Sequence, residues 1–499
     1  MPKKVILVVI DALGSAVVQP LLQANKLPNV AALAAVGSID FGCVAAFPSI
    51  TPAATASIIT GVYPEKHKIM GDYWYDEENN EVAYFGADFT VIWERGFDEF
   101  FTDFLVRLNH ERLGAETLYE MVERSGKTAA SLNYLVFHGD QPHDVDQPLL
   151  IKMIPGVGYN GKLYGPKILQ LGDFVVPDGE RSHSSLSHSG VLHRYGFEDH
   201  HAAETLLQMA RNNTLPDLTV VYMPDNDFAS HDEGPDQAAH VLLEADTYFG
   251  ELIAIFGSVE PLLREFCIII TGDHSQTPMH ADQHEAGIDL YAPLAEFTLA
   301  QAGRPWEHDE RLLICPNLRV AQIYMREPGA DVIDQVTKRL FDDPRIDQVL
   351  WLAEHSGEGP GFVVATADRG RLHFRQARNG ERACHDVYGT AWAWDGDLSA
   401  VDARLDGETF VFNDYPNAFE RIKGALDNAI GAGIWVTARP GHEFKLPNMN
   451  LHPGGSHGSL HKGDSIVPLL VAGAPAGTRF PDYPRTIDIA AICKQVLEI

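Results

Sequence analysis

A chain of 499 residues, 45% hydrophobic and 21% charged, has the makeup of a folded globular protein with a sizeable core and room for roughly two to four domains. Acidic residues outnumber basic ones 69 to 38, a net charge of −31 that argues against a nucleic-acid scaffold or an anionic membrane surface as partner. No apolar run is long enough to span a bilayer, and the N-terminal run after Lys3 and Lys4 ends at Asp11 without a cleavage site, so neither a membrane segment nor a signal peptide is expected. Five widely spaced cysteines suit a reducing cytoplasm and suggest neither a disulfide framework nor a cysteine-based zinc site.

In chain order, residues 5–10 form a continuous apolar run of the kind a buried parallel strand produces, delivering Asp11 at its carboxyl end. Residues 47–69 come next. Thr51 followed by Pro52 reads as a helix N-cap with proline at the first helical position, the small residues Ala53, Ala54, Ala56 and Ser57 continue the helix, and Gly61 with Pro64 stops it. The Thr51 hydroxyl then sits where free amides and the helix dipole favour an anion, a good seat for a nucleophile attacking phosphorus.

Residues 73–201 are rich in aromatics, Gly, Pro and His and predict a cap over the sheet, with a helical patch at 117–124 and a strand at 128–137 that joins the core. Strand runs recur at Leu218–Met223, Phe266–Thr271 and Ile466–Ala472, and Val241, Ala245, Phe249, Leu252 and Phe256 mark one face of a helix. Strands alternating with helices predict an α/β layered core with a mostly parallel sheet, built from 1–72, 202–356 and 415–499, whose functional residues gather at the carboxyl ends of the strands. Shorter alternation in 357–414, as at Phe362–Ala365, 371–375 and Thr409–Phe412, predicts a small antiparallel insertion.

The polar residues at these strand ends carry the chemistry. Asp11 follows the first strand, Asp227 and His231 stand four apart after Leu218–Met223, Asp273 and His274 follow Phe266–Thr271, and His457 lies in a flexible Gly-rich loop before Ile466–Ala472. One such coincidence is a cap or a solvated loop; six of them beside a Thr at a helix start are a site.

This order, with Thr-Gly-Val-Tyr-Pro-Glu-Lys-His completing the Thr51 helix, resembles the alkaline phosphatase superfamily and within it the type I phosphodiesterase/nucleotide pyrophosphatase family. The resemblance implies that fold and two divalent ions, zinc or else manganese or iron. One ion would be held by Asp227, His231 and His457, the other by Asp11, Asp273, His274 and the Thr51 oxygen. His280, His284, His452 and His461 are rival ligands whose neighbours do not match the family pattern. The resemblance also implies hydrolysis of phosphodiesters or nucleotide pyrophosphates through a phospho-threonine; phosphonate hydrolysis, phosphomonoester hydrolysis and a non-catalytic metal-binding role are the alternatives. Ala54 departs from the pattern, standing where an Asn is expected to hold a phosphoryl oxygen; helix amides, Thr55, Lys66 and Asn133 are the candidates to replace it. No Arg is near any motif in sequence, which favours diesters over more highly charged monoesters. Tyr73, Trp74, Tyr75, Phe85 and Trp93 are candidates to lie on the second ester group, and the irregular run His183, His188, His193, His200 and His201 reads as surface histidines.

Overall fold

In this computed structural model the described residues are 3–85, 102–145, 161–177, 194, 196–427, 433–446 and 451–499. Seven strands form the central sheet: β1 (Lys4–Ile10), β2 (Ser38–Val44), β3 (Ala129–Leu132), β4 (Ile168–Gln170), β5 (Leu218–Met223), β6 (Phe266–Thr271) and β7 (Ile466–Ala472). Their order is β2-β7-β6-β1-β5-β3-β4. The apolar run of β1 alternates between two cores, Val5, Leu7 and Val9 packing on one face and Ile6, Val8 and Ile10 on the other. A strand buried on both faces in this way needs helices on both sides, which is why it reads as an unbroken apolar run.

From β6 across to β4 the strands pair in parallel, whereas β7 runs antiparallel to both β6 and β2. That one reversal matters for function. It brings the start of β7, and the loop carrying His457, to the sheet edge where β1, β5 and β6 end. The helix after β2, α1 (Thr51–Thr60), begins at the same edge, as does α2 (Asp225–Glu233) after β5.

A second sheet of ten strands draws on more of the chain than 357–414. Leu312–Asn317, Val320–Met325, Ile346–Leu352 and Ile434–Ala438, all expected in the core, belong to it. A buried apolar run looks the same whichever sheet it joins, so local pattern did not separate them. Within 73–201, β3, the strand expected to join the core, lies in the central sheet, and so does β4, which was not expected there. The strand expected over 128–137 is cut to Ala129–Leu132, because Asn133 turns the chain with a φ of 58°.

The tip of the Leu312–Met325 hairpin braces the site edge. Buried Asn317 accepts the amides of Asp72 and Tyr73 at 2.7 and 2.8 Å and donates to the Tyr73 carbonyl at 2.6 Å. Two residues on, the Arg319 amide donates to the His457 carbonyl at 2.9 Å. Asn317 Nδ2 also donates to the Cys315 carbonyl at 3.2 Å, and removing a buried side chain that serves these backbone groups leaves them short of partners, so Asn317→Ala is expected to cost about 2–4 kcal/mol. Urea unfolding measures this; a loss below about 0.5 kcal/mol would contradict the bracing role.

Candidate active site

Thr51 is the first residue of α1, with Ile50 in the cap position and no side-chain cap bond. The expected N-cap is thus displaced by one residue, because the hydroxyl is spent elsewhere. Thr51 Oγ1 lies 3.1 Å from His274 Nε2. His274 Nδ1 is 3.2 Å from the Ser275 carbonyl, which can only accept, so the proton is on Nδ1 and Nε2 receives the threonine hydroxyl.

The other donors gather around this pair. His274 Nε2 is 3.3 Å from Asp11 Oδ1 and 3.7 Å from Asp273 Oδ2. On α2, Asp227 and His231 are presented together at i and i+4, with Asp227 Oδ2 3.4 Å from His231 Nε2. His457 Nε2 is 3.2 Å from His231 Nε2 and 3.7 Å from Asp227 Oδ1. The His274 and His457 rings stack with centroids 3.8 Å apart, joining the two halves. By mutual proximity Asp11, Asp273 and His274 form one donor group, and Asp227, His274 and His457 another that shares His274. His231 adds a further nitrogen to the second group.

Neighbouring groups orient each donor. His231 Nδ1 donates to the Gly455 carbonyl at 2.8 Å and His457 Nδ1 to the Ser49 carbonyl at 2.7 Å, which leaves both Nε2 atoms bare, as for His274. Gln276 Nε2 holds Asp227 Oδ1 at 2.5 Å, and the Tyr222 hydroxyl donates to Asp11 Oδ2. The loop before β7, expected to be flexible, is pinned: Gly455–Ser456 pairs with Thr277–Pro278, and Gly454 sits where a Cβ would lie 2.1 Å from the Gly234 amide nitrogen. The His452 ring lies against that of His231, centroids 4.0 Å apart and planes tilted by 35°, and bonds through Nδ1 to buried Glu443 at 3.1 Å. No cue in the sequence set Tyr222, Gln276 or Glu443 apart.

The donor set fits a divalent metal. Asp11 Oδ1 and Asp273 Oδ2 are buried and have no hydrogen-bond partner, and three imidazoles aim bare nitrogens at the same space. Carboxylate and imidazole donors of this kind suit zinc, with manganese and iron also compatible. Burial, then the charges of Asp227 and Asp273, pushes the Asp11 carboxyl well above the usual range; burial also raises Asp273. Burial lowers His231, and burial with the neighbouring His274 and His231 lowers His457 further.

The family follows from the sequence as a whole. A family model described as type I phosphodiesterase / nucleotide pyrophosphatase matches residues 5–391. The chain belongs to that family. It is a phosphoester hydrolase of the nucleotide pyrophosphatase/phosphodiesterase kind, although no curated protein matches its sequence. Solved structures share its fold at low identity. Murine ectonucleotide pyrophosphatase/phosphodiesterase 5 aligns at 14% identity and a TM-score of 0.55, covering 100% of this chain and 95% of that one. The human protein of the same name gives 15%, 0.52, 100% and 95%. Phosphonoacetate hydrolase from Sinorhizobium meliloti, in complex with phosphonoacetate, gives 14%, 0.58, 99% and 96%.

In this phosphodiesterase-family chain the remaining sequence candidates lie apart from the donors or are already engaged. Asn133 Nδ2 donates to the Gly196 carbonyl and its Oδ1 accepts the Gly172 amide, and Thr55 Oγ1 bonds back to the Thr51 carbonyl at 2.6 Å. Lys66 is exposed on the short helix Pro64–His67. Tyr73, Trp74 and Tyr75 are buried packing residues: the Tyr73 hydroxyl accepts the Gly303 amide, Trp74 stacks on Phe85, and Tyr75 meets Trp306 and Tyr324 edge-on. Of the helix amides, Ala54 N closes onto the Ile50 carbonyl, leaving the earlier turn free as in any helix start. Of the rival ligands, only His452 lies against the donors; His280 and His284 are exposed, and His461 caps the Gly463 amide. Trp93, His183, His188 and His193 lie outside the described residues; His200 is exposed and His201 half-buried.

Asp72, which the sequence reading missed, is electrostatically coupled to the donors. Burial first and the Asp227 charge second push its carboxyl up to about 7, while His274 and His452 pull it down. An acid raised above its unfolded value stabilises the fold fully below that unfolded value and loses the contribution as pH rises through the folded one. Metal-stripped protein is therefore expected to lose stability as pH climbs from 3.8 through about 7, with the raised Asp11 carboxyl acting in the same direction. Thermal melts at pH 5 and pH 8 check this: the melting temperature should be lower at pH 8 without metal, and zinc should restore it mainly there. Equal melts with no response to zinc would contradict the reading.

Proposed function

We propose that this chain hydrolyses phosphodiesters or nucleotide pyrophosphates with Thr51 as nucleophile and two divalent cations, zinc in the first instance, as cofactors. The observation that carries the reading is the Thr51 hydroxyl directed at His274 Nε2 inside the Asp11/Asp273/His274 group, with Asp227, His231 and His457 alongside. Asp11, Asp273, His274 and the Thr51 oxygen would hold one ion, and Asp227, His231 and His457 the other. Bound ions supply Lewis-acid charge that acidifies a hydroxyl and stabilises a departing oxygen.

Thr51 loses its proton and forms the Oγ–P bond while the bond from phosphorus to the departing oxygen breaks in line. The departing group leaves on the side away from Thr51, toward His457 and His231. Water then attacks the phospho-threonine, releasing the retained phosphate ester and returning the hydroxyl. Placing Thr51 at the first turn of buried α1 gives the phosphoryl oxygens free helix amides. An inactive threonine-to-alanine variant of murine ectonucleotide pyrophosphatase/phosphodiesterase 5 is described in complex with AMP, which supports both a threonine nucleophile and a nucleotide ligand by analogy.

Diesters are favoured over monoesters because the arginines that folding brings near are engaged. Arg194 pairs with Asp225, Arg319 pairs with Asp464, and buried Arg421 bonds to the Ser49 and Ser465 hydroxyls and to backbone carbonyls. None offers a free guanidinium to an extra phosphate charge. The fold shared with phosphonoacetate hydrolase keeps carbon–phosphorus cleavage as the second reading. Five free cysteines support a reducing compartment, and among the described residues no helix is long and apolar enough to cross a membrane.

Assays of zinc-loaded protein on bis-p-nitrophenyl phosphate, p-nitrophenyl phosphate and phosphonoacetate test this. The diester is expected to turn over fastest. Thr51→Ala should lower its kcat by about 1,000-fold or more with two metals still bound. Phosphonoacetate as the best substrate would favour the second reading, and a Thr51→Ala variant within tenfold of wild type would refute the nucleophile.

A further inference from the structure

Among the described residues seven large hydrophobic side chains are exposed, and one of them, Phe228, lies on the helix that carries the metal donors. It is 45% exposed, follows buried Asp227 directly and precedes His231 by three residues, so it shares a flank of α2 with His231. The exposed part of the ring gains nothing from burial in the core. Yet this ring is held in place rather than loose. The Arg194 guanidinium lies 4.1 Å from its centroid, and that guanidinium is itself fixed by Asp225 and by the Phe197 carbonyl, which accepts from Nε at 3.2 Å. Asp225 in turn accepts the Asp199 amide, and Asp199 the Asp225 amide, at 3.1 and 2.9 Å. A cation covers one face of the ring and leaves other ring surface to solvent.

The direction of reaction says what meets that surface. From Thr51 the contacts run outward to His274, then to His457 stacked upon it, then to His231 and finally to His452. Phe228, one residue after Asp227 and three before His231 on α2, is placed by its helix position on the His231 side of this series, the side to which the proposed reaction sends a group expelled in line from Thr51. We infer that Phe228, backed by Arg194, is a stacking platform for an aromatic ring on the departing group, and so selects substrates whose leaving half is a nucleotide rather than a bare phosphate or pyrophosphate. This rests on the reaction proposed above. Every heterocyclic base has a π-face, so such a platform recognises nucleotides as a class and not one base. The acidic pair Asp199 and Asp225 serves as the mount of the platform and makes no contact with substrate in this reading.

Two substrates with the same retained AMP isolate the effect. Diadenosine diphosphate departs as AMP, which carries a ring, whereas ADP departs as phosphate, which does not. Phe228→Ala is expected to lower kcat/KM for diadenosine diphosphate about tenfold, chiefly through KM, and to leave ADP within about twofold, with Phe228→Trp restoring the preference. Equal effects on both substrates, or none, would overturn the inference. If wild-type protein cleaves bis-p-nitrophenyl phosphate but neither nucleotide, the platform reading fails and the hydrolase reading stands. If it cleaves none of the three, the reaction itself is wrong.

Discussion

Three carboxylates, those of Asp11, Asp227 and Asp273, meet in the buried interior with no lysine or arginine contacting them among the described residues. Such a cluster is unfavourable on its own, since each charge is desolvated and repels the others. Burial and mutual repulsion hold Asp11 well above the usual carboxylate range and raise Asp273 for this reason. Protonation relieves the cluster at low pH; once the carboxyls ionise, positive charge from outside the chain stabilises it, and divalent cations are the natural source.

The scaffold serves to make that convergence unavoidable. Parallel β1, β5 and β6 end at one edge and supply Asp11, α2 and the Asp273–His274 pair, while the reversal of β7 adds His457 from its starting end. The three imidazoles are locked by Nδ1 bonds to backbone carbonyls, so each turns the same nitrogen inward. The second sheet contributes no donor. It contributes the hairpin tip whose Asn317 and Arg319 tie the Asp72 segment to the His457 loop.

Much of this was readable from local sequence, and the failures share one cause. β5, β6 and β7 have the bounds their apolar runs predict, because double-sided burial leaves an unbroken signature. The polar residues at their ends were visible for the same reason. Sheet membership was not: Val320–Met325 is as apolar as a central strand and joins the other sheet. Side chains that act across long sequence distances were also hidden. Asp72, Gln276 and Glu443 look like ordinary polar residues until folding sets them beside the donors, and His452, a rival ligand by sequence, stands against His231 instead. The arginines mislead in the opposite direction: distant in sequence, Arg194 and Arg319 are already paired with Asp225 and Asp464, and Arg421 is buried against hydroxyls and backbone carbonyls.

Anomalous diffraction from crystals grown with zinc tests the central claim most directly. The account predicts two strong peaks, one bounded by Asp227, His231 and His457 and the other by Asp11, Asp273, His274 and the Thr51 oxygen. A single peak, or zinc bound elsewhere with these seven side chains unchanged, would contradict it.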